Sequence, residues 1–118
     1  MSDAATEVRE FRIDIPEGEI IDLKSRLAST RWPDAETPDD WSQGLPLEYH
    51  QEFCKYWETE YDWYKTQEKL NKFPQFKSRF DGIDIHFVHV RSKENNARPL
   101  IITHGWPGSI VEFQKVIA

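Results

Sequence analysis

The apolar residues of this chain change from helical to alternating spacing near residue 75, and that change limits what it can fold into. From about Glu17 to Ser29, Ile20, Leu23 and Leu27 recur at helical spacing, with Ile21 beside them. Glu17 and Glu19 at the start, with Lys24 and Arg26 towards the end, follow the order a helix dipole favours. Pro46 suits a first helical position and opens a second helix, with the stripe Leu47, His50, Phe53 or Cys54, and Trp57. Asp62 caps a third helix that runs through Trp63, Tyr64 and Gln67 to about Leu70, and Asn71 to Pro74 ends it. Beyond this point the period becomes two. Phe76, Ser78 and Phe80 alternate with polar neighbours, and Asp81-Gly82 is a strong hairpin signal. Ile83, Ile85 and Phe87 then alternate with Asp84, His86 and Val88 in a strand that continues to about Arg91. A short strand over Val8 to Ile15, punctuated by Pro16, precedes the helices. Residues 30 to 45, with Pro33, Pro38 and Gly44, read as a long loop pinned by Trp32 and Trp41.

A second signal lies near the end of the sequence. After the polar loop Lys93 to Arg98, the run Leu100 to Thr103 reads as a strand buried on both faces. His104-Gly105-Trp106-Pro107-Gly108-Ser109 follows, and then Ile110-Val111-Glu112-Phe113, the start of a helix. Gly105 and Gly108 let backbone approach a ligand closely, and Pro107 removes one donor. Ser109 and Glu112 have capping-box spacing. The six residues are therefore a strand-to-helix turn, where backbone N–H groups can stabilise an oxyanion.

Composition narrows the partners. A chain of 118 residues is about one domain. A formal net charge of −6 with no Lys/Arg cluster argues against nucleic acid or an anionic membrane surface. Cys54, the one cysteine, cannot make an internal disulfide. No apolar stretch approaches the ~20 residues that span a bilayer, and no secretory signal is visible. A cytoplasmic location is therefore expected.

The turn resembles that of the epoxide hydrolases of the α/β-hydrolase fold, whose His-Gly-Xaa-Pro sequence follows an early sheet strand. Here Xaa is Trp106, and the His-Gly-Trp-Pro-Gly-Ser form is similar to the microsomal and juvenile-hormone branch with its soluble bacterial and fungal relatives. Arg31-Trp32-Pro33, Tyr56-Trp57, Asp62-Trp63, Asn71-Lys72-Phe73-Pro74-Gln75-Phe76 and Ile85 to Ser92 occur in family order. The resemblance covers about Phe11 to Ala118. It implies an α/β fold in which a helical N-terminal layer precedes the first strands of an incomplete α/β-hydrolase sheet. On that basis residues 1–10 are a flexible terminus, 11–75 the N-terminal helical region, and 76–118 the start of the hydrolase core.

The resemblance also implies roles. The Trp106 backbone N–H would be one donor of the oxyanion hole, with a cis bond before Pro107. His104, Gly105, Pro107 and Gly108 would support the turn. The family's nucleophilic aspartate, general-base histidine, acid and lid tyrosines all come later. No Gly-x-Asp-x-Gly or Gly-x-Ser-x-Gly elbow exists here, because among the glycines at 18, 44, 82, 105 and 108 no pair is four apart. The expectation is therefore the front part of an epoxide hydrolase, inactive by itself. The implied substrate is a small-molecule epoxide, with no cofactor or metal. Self-association or the remainder of a hydrolase would be its protein partner. Two alternatives stand beside this reading. One is a non-catalytic binding or assembly module that docks on a hydrolase chain. The weaker one is a haloalkane dehalogenase, against which the front section argues.

Other residues have plainer readings. His104 suits loop-holding hydrogen bonds better than catalysis. The Trp106 ring is expected to line a pocket wall as well as to serve as a core aromatic. His86 and His89 are three apart on a strand, so they face opposite sides and make a poor metal pair. Asp81 and Asp84 suit turn chemistry. The aromatic set from Tyr56 to Tyr64 reads as core, and Cys54 as a buried small hydrophobe.

Overall fold

The computed structural model describes residues 7–117. The chain forms two compact units, one of residues 15–64 and the other of residues up to 14 together with those from 65 onward. Of the terminus expected to be loose, positions 1–6 lie outside the described residues, and Val8 to Glu10 belong to a strand.

The unit of residues 15–64 is built on α1 (Glu17–Ala28) and α2 (Leu47–Thr59), which pack on each other. Ile20, Leu23 and Leu27 are half-buried and Ile21 is exposed, as the helical stripe requires. Pro46 sits one position earlier than expected, at the N-cap, where it has no side-chain acceptor to offer. Glu36 supplies one from eleven residues upstream: its Oε2 accepts from the Leu47 N–H at 3.0 Å. A carboxylate there also opposes the positive end of the helix dipole. In the loop between the helices, Trp32 meets His50 edge-on at 5.5 Å and Trp41 meets Tyr49 at 5.2 Å. These contacts anchor the loop, although Trp41 remains largely exposed.

The aromatic set read as core is not core here. Tyr56, Trp57 and Tyr64 are exposed, and Tyr61 and Trp63 half-buried. The reason lies in how little covers α2. Within this unit α1 packs on the helix, yet Tyr49, Phe53 and Tyr56 remain about half exposed. Cys54 is a free, half-buried thiol, less enclosed than the sequence led us to expect.

Helix α3 (Trp63–Leu70) begins as expected, with the Tyr64 N–H donating to Asp62 Oδ1 at 3.0 Å. Leu70 at its end is 3% exposed and is the one buried hydrophobic residue among those described.

The second unit holds a three-stranded antiparallel sheet of β1 (Val8–Phe11), β2 (Gln75–Phe80) and β3 (Ile83–Val88), in that order across the sheet. The hairpin between β2 and β3 turns at Asp81-Gly82, where φ is +47° and +82°. Positive φ at both central residues is what a type I′ turn demands, and an aspartate-glycine pair meets it at low cost. Register places Gln75 opposite Val88, Phe76 opposite Phe87 and Lys77 opposite His86. It also places Phe11 opposite Gln75 and Arg9 opposite Lys77.

Period-two alternation thus divides the sheet into two faces. One carries Arg9, Phe11, Gln75, Lys77, Arg79, Asp84 and His86. On it Arg9 pairs with Asp84 at 2.9 Å, an exposed ion pair of small energetic weight. The other carries Val8, Glu10, Phe76, Ser78, Phe80, Ile83, Ile85 and Phe87. There Phe76 and Phe87 stack with ring centroids 5.8 Å apart. Yet Val8, Phe80, Ile83 and Ile85 are exposed while Ser78 is buried, so the described residues cover only part of this mainly apolar face.

Two expectations for this unit need correction. Strand β3 ends at Val88 rather than near Arg91, and the His89 N–H turns to the Pro74 carbonyl at 3.1 Å. Leu100 to Thr103 is not a strand here. Leu100 is 81% and Ile101 89% exposed. A strand exists by its ladder, and no described segment lies beside this one to form it.

Candidate oxyanion turn

His104 to Ser109 leads from this extended run into a 3₁₀ helix over Ile110–Phe113, so the helix expected here is a single tight turn. Ser109 is its N-cap. Its hydroxyl accepts from the Val111 N–H at 3.3 Å, and its carbonyl from the Glu112 N–H at 3.1 Å. The capping signal was therefore correct about where the helix starts, but the Glu112 carboxylate lies against Gly108.

The Trp106–Pro107 peptide is cis, as the resemblance implied. Around it the Gly108 N–H donates to the Gly105 carbonyl at 2.7 Å, which closes the turn. His104 Nδ1 lies 3.3 Å from the Gly105 oxygen. No described residue accepts a hydrogen bond from the Trp106 N–H. The indole ring is a different matter. It is 97% exposed, so it is neither core nor pocket wall in this chain. Two open clefts, of about 390 and 590 Å³, lie beside Phe11, Asn71 and Gln75 in one unit and beside Leu27, Trp32 and Cys54 in the other. Neither is lined by Trp106.

Gly108 is required by space. A Cβ there would collide with the Glu112 carboxylate and stand 2.9 Å from the Gly105 carbonyl oxygen. The carboxylate ends a flexible side chain and can move; the backbone oxygen cannot without opening the turn. Gly108→Ala is therefore expected to disturb the turn whether or not Glu112 is also replaced by alanine. Backbone amide shifts of Gly105 to Ser109 measure this, and recovery of the native shifts in the double variant would show that the side chain alone was the obstacle.

The remaining histidines take no part in the turn. The rings of His86 and His89 lie on opposite faces of the sheet, near Phe11 and Phe76 respectively. Among the described residues no three histidine, cysteine or acidic side chains gather as a metal site would need.

Solved structures place this fold. The chain aligns over 92% of its length with the Aspergillus niger epoxide hydrolase, at a TM-score of 0.82 and 32% identity, covering 29% of that chain. It aligns over 92% with the juvenile hormone epoxide hydrolase of Bombyx mori, at a TM-score of 0.76 and 31% identity, covering 30% of that chain. Its three helices and antiparallel sheet are thus those of the N-terminal region of α/β-hydrolase-fold enzymes. Residues 8–113 match the family model described as epoxide hydrolase N terminus, and the chain belongs to that family.

Among curated relatives, a Stigmatella aurantiaca protein named "Putative epoxide hydrolase" is 50% identical over 110 residues, which is 93% of this chain and 25% of that protein. Epoxide hydrolase 1 of Sus scrofa is 36% identical over 114 residues, 93% of this chain and 25% of the relative. The juvenile hormone epoxide hydrolase of Manduca sexta is 41% identical over 115 residues, with the same 93% and 25% shares. The chain thus spans about a quarter of the length of these relatives.

Proposed function

We propose that this chain supplies the oxyanion turn of an epoxide hydrolase, with the Trp106 N–H as the donor and His104, Gly105, Pro107 and Gly108 shaping the loop. Residues 11–75 are its N-terminal helical region and 76–118 the start of the hydrolase core. In the reaction, a carboxylate oxygen attacks an epoxide carbon. The ring C–O bond breaks as its oxygen takes a proton from the acid, and a hydroxy ester forms. Water, deprotonated by a histidine, then adds to the ester carbonyl. The tetrahedral oxyanion that results collapses to carboxylate and vicinal diol. The N–H would stabilise that oxyanion. Nucleophile, base and acid come from outside this sequence, and the substrate is a small-molecule epoxide.

The observation that supports this is the Trp106 N–H, which has no partner among the described residues in a turn closed by Gly105 and Gly108. No helix among the described residues is long and apolar enough to cross a membrane. The cytoplasm is the proposed location.

The test is a chimera in which residues 8–113 replace the matching region of the Aspergillus niger enzyme. It is expected to form diol. Changing the Trp106 amide to an ester, which deletes the N–H and keeps the side chain, is expected to lower turnover by about 10²–10³-fold, the usual cost of one oxyanion donor. A folded chimera whose turnover ignores that change would overturn the assignment.

A non-catalytic docking module is the second reading. The part-exposed aromatics Tyr49, Phe53 and Tyr56 of α2 favour it, because aromatic residues are enriched in protein interfaces.

A further inference from the structure

One end of the sheet is held by a relay of side-chain amides in which the turn has no part. Gln75, 3% exposed on β2, donates from Nε2 to the Leu70 carbonyl at 2.9 Å and to Asn71 Oδ1 at 3.4 Å. Its Oε1 therefore faces His86 Nε2 on β3, 2.9 Å away. An amide oxygen only accepts, so His86 must donate, which assigns the proton of the neutral ring to Nε2. Asn71 completes the relay. Its Oδ1 accepts from the Ile13 N–H at 2.9 Å and its Nδ2 donates to the Ile13 carbonyl at 2.8 Å. These are the two bonds a neighbouring strand would make, and they come two residues after β1 ends. Phe11, the last residue of β1, rests edge-on against the His86 ring at 5.0 Å, with the Lys77 ammonium 4.1 Å over its own ring.

We propose that His86, Gln75 and Asn71 form a proton-sensitive latch that fastens the β1 arm, Val8 to Ile13, to its sheet. The charges on this face decide the direction. Lys77 lies directly across from His86 on β2, with Arg79 two residues along and Arg9 beyond Lys77 on β1. Asp84, on its own strand, is the carboxylate that the paired strands place there, and it is engaged by Arg9. An imidazolium would be a fourth cation in a half-buried site. Burial first, and then Lys77, hold the His86 pKa below its ordinary 6.5. The folded state thus resists a proton that the unfolded chain accepts. The latch contributes its full stability above pH ~6.5, and loses it as the pH falls through that value towards the lowered pKa. Once charged, the ring is drawn to water. The charged ring still carries its Nε2–H, so the bond is lost through the swing to water that burial and the neighbouring cations drive, and that movement leaves a buried amide oxygen without its donor and Phe11 without its support.

The test is hydrogen exchange of the protein between pH 7.5 and 5.5, corrected for intrinsic rates, with ¹⁵N shifts of His86. Protection of the Ile13 and β1 amides is expected to fall several-fold at the acid end, while the α1 and α2 amides hold. His86→Gln keeps a donor but cannot titrate, so its protection should be flat with pH. The ring should show the Nε2–H tautomer at pH 7.5, which needs no variant. An Nδ1–H tautomer, constant Ile13 protection, or the same acid loss in His86→Gln would each overturn the latch.

Discussion

The 118-residue polypeptide is expected to form no diol from styrene oxide or stilbene oxide above background. An oxyanion donor acts on a tetrahedral intermediate, and here no nucleophile on an elbow exists to create one, since the five glycines leave no Gly-x-Asp-x-Gly or Gly-x-Ser-x-Gly. The relative magnitudes make the result clear. Removing one donor costs about 10²–10³ in turnover, whereas in serine-protease work losing the nucleophile or base costs about 10⁶. A turn that keeps the smaller contribution and lacks the larger has nothing to accelerate. Diol that rises in proportion to purified chain, and survives controls for host hydrolases, would sink this expectation. Read with the chimera, the result also separates two failures. Silence from the chain alone agrees with a donated turn, whereas silence from a folded chimera does not.

Much of this molecule is legible in its residues because the relevant physics is local. Helical spacing located α1 and α3 to within about a residue, and Asp81-Gly82 fixed the hairpin because few residue pairs accept positive φ twice in succession. Ser109 marked the start of the 3₁₀ turn for the same reason, since its hydroxyl serves an N–H two residues away. Where pairing is distant the sequence falls silent. That β1 joins β2 depends on residues about 65 positions apart, and nothing in Val8 to Ile15 announces it. Asn71 read as the end of a helix and the start of a family motif, yet its amide clamps Ile13, 58 positions away. Glu36 read as loop, yet it caps α2 where Pro46 cannot. The misread elements have a common cause. Apolar spacing tells which side of an element avoids water, not what covers it. The Tyr56 to Tyr64 aromatics and Leu100 to Thr103 were read as enclosed because they are apolar, yet Tyr56, Trp57, Tyr64, Leu100 and Ile101 stay exposed and Tyr61 and Trp63 are only half-buried.

Self-association is the second large effect expected, and it follows from that same exposure. Leu70 is the one hydrophobic side chain fully withdrawn from water among the described residues. Burial of apolar surface gives about 25 cal/mol per Å², and it is the main term opposing a chain-ordering entropy of about 1–2 kcal/mol per residue. A chain with so little enclosed apolar surface has a small margin. Two features then offer templates for association. One sheet face presents Val8, Phe80, Ile83 and Ile85 to water, and Leu100 and Ile101 lie 81% and 89% exposed on backbone that has no ladder. Unpaired apolar backbone recruits other strands, and a copy of the same segment is always at hand in a pure sample. The net charge of −6 opposes this by long-range repulsion, so salt, which screens it, should promote association. The measurement is sedimentation of the purified chain from low to high salt, together with thermal unfolding. Oligomers at micromolar concentration and a broad transition are the expected outcome. Replacing Leu100 and Ile101 by threonine should reduce the oligomers without disturbing the β2–β3 register. A salt-independent monomer with one sharp, reversible transition would show that residues 1–118 form an autonomous domain. That result would move the weight of the functional reading from a donated oxyanion turn to an independent docking module.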